Sequence, residues 1–201
     1  MREIIIVALI GYCLGGFQTA YILGRLFKKI DIRSHGNSNA GASNATKVMG
    51  WKYGIVIGLV DILKAVLAVI IAKKLYTDSS SVVLFIAGLF TILGHNYPVL
   101  LKFHGGKGTA SLVGMMFAIN YKIGFVLLAS IIIVTLITDY IALGTITMVI
   151  ILPILISIAG YPIEAVLICV GIALLAIYKH LPNLKNIINK EEPGLRGTLK
   201  K

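Results

Sequence analysis

Seven apolar stretches, at residues 4–26, 53–72, 82–101, 109–120, 123–138, 141–158 and 163–178, fill most of the chain and leave short polar connections. A helix needs on the order of 20 apolar residues to cross a bilayer core, and a helix satisfies its own backbone polar groups there. The pattern predicts an all-α polytopic membrane protein with about seven transmembrane helices. With 58% hydrophobic and 13% charged residues, the chain is not a soluble domain, in which about 25% would be charged. The fourth stretch is short, so it predicts a tilted, partly buried or re-entrant segment lined by protein. Residues 1–201 read as one integral membrane domain, and 190–201 as a flexible basic tail. Only Arg2 and Glu3 precede the first stretch and more positive charge follows it, so it reads as a retained span and not a cleaved leader.

Charge orients this bundle. The net charge is +11, and the cations lie at the ends of spans, where they set topology and meet anionic head groups. Membrane lipids, and not nucleic acid, are therefore the expected partners of this surplus. With seven spans and the N-terminus outside, fourteen Lys and Arg fall on the inner face, including the tail, and four on the outer face. That is the asymmetry expected of a cytoplasmic C-terminus. All four histidines, His35, His95, His104 and His180, then fall at or near the inner face. The cysteines, Cys13 and Cys169, lie in apolar runs without metal-ligand spacing.

Two small-residue loops share that face. In the run His104, Gly105, Gly106, Lys107, Gly108, little side-chain bulk surrounds one lysine, so backbone N–H groups and a point charge can approach an anion together. The run leads into the N-terminus of the fourth span, whose free N–H groups favour negative charge. His95 stands upstream in Gly94, His95, Asn96, Tyr97, Pro98. The other loop, about 25 residues long, holds Asn37, Ser38, Asn39, Gly41, Ser43 and Asn44 and reaches Lys47. Its amides and hydroxyls suit a phosphate, while its composition also suits a linker. The spacing is not that of a nucleotide P-loop.

His180 and Asn183 lie at the inner end of the last span. A histidine there is either a head-group anchor or a general acid or base. Asp61 and Lys64 lie within the second span at i and i+3, on one helix face. They either pair with each other or face a substrate. Gln18 and Asp139 are polar residues whose partners the sequence does not reveal. No Ser/His/Asp ordering, zinc motif or nucleotide fingerprint occurs, so no metal and no cofactor is expected, and an enzyme built this way needs a substrate that arrives already activated. A small anion transporter or a lipid-binding protein would also use such a scaffold. A transporter, however, places polar residues and broken helices at mid-membrane, often in internal repeats, and neither pattern is evident.

Three ordered motifs carry a resemblance. The run from Asp31 and Arg33 through Gly36 to Asn44, with Asp61 and Lys64, resembles the first signature of the bacterial acyl-phosphate:glycerol-3-phosphate acyltransferases. Gly94 to Pro98 with Gly105 to Gly108 resembles the second, and His180 with Asn183 the third. The resemblance implies a seven-helix enzyme of the bacterial inner membrane, acting at the cytoplasmic face without a cofactor. Its substrates would be acyl phosphate and glycerol 3-phosphate, and its product lysophosphatidic acid. By that resemblance Lys107, Ser38, Asn39, Ser43, Asn44 and Lys47 hold phosphates, while His180 and Asn183 orient the acceptor and polarise the reacting groups. The chain departs from the family's pattern at Asn37, where serine is usual, and at Ser38, where glycine is usual. It departs again at Lys47 for arginine, Ala142 for serine, and His104 at a basic position. A divergent relative with another acceptor alcohol is the alternative these departures raise.

Overall fold

The computed structural model of the chain describes residues 2–77 and 80–199, and the regular segments among them are helices. Six are long and apolar enough to cross a membrane: Arg2–Lys28, Trp51–Leu75, Val82–Leu101, Tyr121–Thr138, Ile141–Ile158 and Ile163–Ile188. Large apolar side chains on them face outward, among them Ile137, Ile158 and Leu174. Such a surface suits lipid and not water. The short fourth stretch is the 11-residue helix Thr109–Ile119, about 16 Å long at 1.5 Å per residue, roughly half of a bilayer core.

Two sequence expectations are corrected. The first span is interrupted: α1 (Arg2–Gly15) stops, Gly16 to Gln18 break the helix, and α2 (Thr19–Leu23) runs on into one wide turn at Gly24–Lys28. The long first loop is largely structured. It contains a tight turn at Ile32–Ser34 and an eight-residue helix, α3 (Ala42–Met49). Ile32, Ala40, Ala45 and Met49 bury there with Ala20 and Ile57, and this small apolar core gives the loop the packing a linker lacks.

Met1–Ile119 and Asn120–Lys201 are two compact units. In the first, α1 lies on α5 (Val82–Asn96), while α4 (Trp51–Leu75) contacts α3, α5 and α6 (Thr109–Ile119). The α1–α5 approach depends on small residues. A side chain at Gly15 would lie 2.8 Å from the Thr91 carbonyl carbon, and one at Gly94 would lie 3.0 Å from the Gly16 nitrogen. Gly11 and Gly15 form the small-xxx-small spacing that lets two helix backbones meet in a membrane, where packing rather than water drives association. In the second unit, α7 (Tyr121–Thr138), α8 (Ile141–Ile158) and α9 (Ile163–Ile188) pack in succession. Helix α9 continues to Ile188, beyond the apolar stretch, and so carries His180 and Asn183 on a helix rather than in a tail.

Candidate active site

The two small-residue motifs of the first unit are stitched together. The Ala40 amide donates to the Gly105 carbonyl at 3.2 Å, and Arg33 Nη1 donates to the Leu101 carbonyl at 2.9 Å. Arg33 is held by the Asp31 carboxylate through Nε at 3.0 Å and Nη2 at 2.8 Å, and its guanidinium lies over the Tyr21 ring at 5.0 Å. This fork holds the Asp31 carboxyl down at about 2, because removing the charge would forfeit the paired hydrogen bonds.

Within the first loop the asparagines act chiefly on backbone. The Asn44 amide is 1% exposed. Its Nδ2 donates to the carbonyls of Ile32, His35 and Asn39, and its Oδ1 accepts from the Asn37 amide. Asn39 Oδ1 accepts from the Gly41 amide, and Nδ2 donates to the Asn37 carbonyl. Ser38 is exposed in left-handed backbone, with φ 52°. Ser43 is exposed in the first turn of α3, and Lys47, one turn further, is half-buried. Ser43 and Lys47 share a helix face at i and i+4. The Lys47 ammonium meets Asn37 Oδ1 at 3.3 Å, so two of the departures from the family pattern are partners of each other.

In the second motif the glycines act through the side chains they lack. The Gly105 amide donates to the Asn96 carbonyl at 3.2 Å and the Gly106 amide to the His95 carbonyl at 3.0 Å. Those two N–H groups therefore hold the loop down instead of pointing into an anion site. A side chain at Gly105 would lie 2.6 Å from Pro98 Cδ, and one at Gly106 would run into the His95 ring. Gly108 has φ 81°, a left-handed turn that opens directly into α6. Half-buried Lys107 thus lies between a fixed loop and the first-turn N–H groups of α6, which have no partner within the helix. His104 is exposed beside it, with Nδ1 at 2.6 Å from the Lys102 carbonyl.

Beneath the loop is a buried polar cluster. Asp61 and Lys64 are 2% and 6% exposed and form an ion pair at 2.8 Å. Lys64 Nζ also lies 3.1 Å from the Gly15 carbonyl, 3.0 Å from the Phe17 carbonyl and 2.8 Å from His95 Nδ1. It serves the carbonyls that the break between α1 and α2 strips of helical partners, as a membrane-embedded break requires. The opposite ring nitrogen of His95, Nε2, faces Gly106. Gln18 Nε2 completes the cluster, donating to the Gly15 and His95 carbonyls. The sequence names Gln18 without a partner. Its signal lies in the preceding Gly15 and Gly16, which mark a helix break inside an apolar run.

In the second unit His180 and Asn183 are buried in the C-terminal half of α9, one turn apart. His180 Nδ1 lies 2.8 Å from the Ala176 carbonyl. Asn183 Nδ2 donates to Glu192 Oε1 at 2.8 Å, which makes Glu192 a polar partner the sequence did not single out. Ala142 is buried in the first turn of α8.

These features define an integral membrane, all-helical protein in which two small-residue motifs are joined by one backbone and one side-chain hydrogen bond. A sequence model described as glycerol-3-phosphate acyltransferase matches residues 5–190. Glycerol-3-phosphate acyltransferase 1 of Oceanobacillus iheyensis is 41% identical over 197 residues, covering 95% of this chain and 94% of that protein. The glycerol-3-phosphate acyltransferase of Thermoanaerobacter pseudethanolicus is 37% identical over 191 residues, covering 95% of each. The crystal structure of PlsY (YgiH), an integral membrane glycerol 3-phosphate acyltransferase, in its glycerol 3-phosphate form superposes with a TM-score of 0.89. It is 32% identical, and the match covers 98% of this chain and 97% of that one. Its lysophosphatidic acid form gives a TM-score of 0.86 at 31% identity over 98% and 99%. The chain belongs to the glycerol-3-phosphate acyltransferase family, and it is an acyltransferase enzyme.

Proposed function

We propose that the chain transfers a fatty acyl group from acyl phosphate to the 1-hydroxyl of glycerol 3-phosphate, at the cytoplasmic face of a bacterial inner membrane. The observation that carries this reading is the joining of the two phosphate-type motifs around Lys107, through Ala40 to Gly105 and Arg33 to Leu101. The related crystal structures, titled as glycerol 3-phosphate and lysophosphatidic acid forms, support the acceptor and the product.

An acyl phosphate is a mixed anhydride, so no enzyme nucleophile is required. The acceptor hydroxyl attacks the acyl carbonyl carbon, an ester C–O bond forms, and the acyl–phosphate C–O bond breaks to release inorganic phosphate. The hydroxyl proton goes to His180 or to a phosphate oxygen. Lys107 and the first-turn amides of α6 neutralise one phosphate as its charge grows on leaving. Ser38, Ser43 and Lys47, with the first turn of α3, serve phosphate binding as well. Asn39, Asn44, Gly41 and Asn37 hold that loop in shape, while Gly105, Gly106, Gly108 and His95 shape the other. His180 and Asn183 orient the acceptor. Apolar helix faces hold the acyl tail, and fourteen inner-face cations fit the assigned orientation.

The test is purified protein in lipid given acyl phosphate and glycerol 3-phosphate, with inorganic phosphate and lysophosphatidic acid both measured. Parallel reactions replace the donor with acyl-CoA or omit the acceptor. Lysophosphatidic acid is expected only where acyl phosphate and glycerol 3-phosphate are both present, and Lys107→Ala should lower kcat by about 100-fold or more in a protein that still folds. Full activity of Lys107→Ala would remove its assigned role. Turnover only with another alcohol would favour the altered-acceptor reading.

A further inference from the structure

The segment that follows α9 turns back onto the second unit. Lys190 has φ 61° and reverses the backbone, so that the amides of Glu191 and Glu192 both donate to the Asn186 carbonyl, at 2.7 and 3.1 Å. The segment then returns to the turn between α7 and α8. The Leu195 amide donates to the Asp139 carbonyl at 2.8 Å, and the Arg196 amide donates to Asp139 Oδ1 at 2.9 Å. Arg196 Nη2 donates at 2.8 Å to the Leu136 carbonyl, one of the last-turn carbonyls of α7 that lack an intrahelical donor. Gly194 passes so close that a side chain there would lie 2.7 Å from the Asp139 carboxyl carbon.

Between these two anchors lies Glu192. Its Oε1 accepts from Asn183 Nδ2 at 2.8 Å, and its Oε2 accepts from Asn186 Nδ2 at 3.4 Å. A carboxylate only accepts, so it chooses the face of the buried Asn183 amide, turning the NH2 towards Glu192 and the oxygen away. We infer that Asp139 is a positioning residue: by holding residues 194–196 it keeps Glu192 in place and thereby sets the orientation of Asn183 for the acceptor.

This rests on the role proposed for Asn183 at the acceptor. Asp139 itself sits in left-handed backbone, φ 70°, which glycine adopts more readily still. Asp139→Gly therefore deletes the carboxylate without adding backbone strain, whereas Asp139→Asn keeps an accepting oxygen and tolerates the same backbone. Gly194→Val attacks the contact from the opposite side. Hydrogen exchange of the 195 and 196 amides, read in the full-length protein in lipid, reports docking independently of turnover.

In wild type these amides are expected to be protected. In Asp139→Gly, which keeps the carbonyl that holds the 195 amide, the 196 amide should exchange freely, and in Gly194→Val both should, with kcat/KM for glycerol 3-phosphate down about tenfold and KM for acyl phosphate unmoved. Asp139→Asn should restore most of both. Unprotected amides in wild type would overturn the docking. Loss of protection with an unchanged kcat/KM would overturn the positioning role. A wild-type protein that makes no lysophosphatidic acid would overturn the proposed reaction and the catalytic consequence together, while exchange would still decide whether the segment is docked.

Discussion

Adding one methyl group at Gly106 tests whether the lysine loop is held by the buried cluster. The new carbon would lie 2.7 Å from His95 Cε1 and 2.9 Å from Cδ2, besides meeting Nε2. Ordinary carbon contacts are about 3.5–4.0 Å, so something must move by about 1 Å. The ring cannot retreat freely, because Lys64 Nζ stands 2.8 Å and Asp61 Oδ1 3.5 Å from its other nitrogen. The loop is the softer side. Displacing it strains the bonds from Gly105 to Asn96 and from Gly106 to His95, and carries the adjacent Lys107 along. Overpacking of this kind costs about 1–3 kcal/mol of stability, while a shift of about 1 Å at a positioned charge costs about 100-fold in rate. Gly106→Ala should therefore fold with a lowered melting temperature and lose about 100-fold in kcat/KM, read by phosphate release against thermal unfolding in the same lipid. On a His95→Ala background the obstruction is gone, so adding Gly106→Ala should cost little more. That makes the pair non-additive by over about 1 kcal/mol. Activity of Gly106→Ala within about threefold of wild type, or simple additivity, would refute the idea that His95 fixes this loop.

Lys64→Met leaves the Asp61 carboxylate buried without its cation and strips a donor from the Gly15 and Phe17 carbonyls. It should cost about 3–5 kcal/mol by thermal or denaturant unfolding, with part recovered in Lys64→Met/Asp61→Asn. The Asp31 carboxyl is held at about 2, below its unfolded value of about 3.9. Its contribution to stability is thus present above about pH 4 and is lost as pH falls from there towards 2, and melting curves of Asp31→Asn should lack this component. Because Lys47 and Asn37 are partners at 3.3 Å, Lys47→Arg alone should not raise affinity for the phosphorylated substrates. The double variant with Asn37→Ser should differ from the sum of the singles by about 0.5 kcal/mol or more in a KM-based cycle.

The apolar stretches were enough to establish a helical membrane protein, because the cost of an unsatisfied backbone in hydrocarbon leaves few alternatives. The three motifs, spaced along the chain, were enough to indicate the acyltransferase family. What the sequence leaves open is partnership. Whether Asp61 and Lys64 face a substrate or each other depends on where α5 brings His95 and where α1 breaks, and both are set by helix packing through Gly11, Gly15 and Gly94. Likewise Gln18 and Asp139 look isolated because their partners lie 77 and 57 residues away, at His95 and Arg196. A donor and an acceptor so far apart leave no periodic trace in the chain. The amide direction at Gly105 and Gly106 was equally hidden, since glycine composition permits a cradle or an anchored strand, and only the neighbouring carbonyls of His95 and Asn96 decide. Composition and periodicity thus determine the solvent each segment prefers, while tertiary packing determines which buried polar groups meet, because an unpaired one is too costly to leave in an apolar interior.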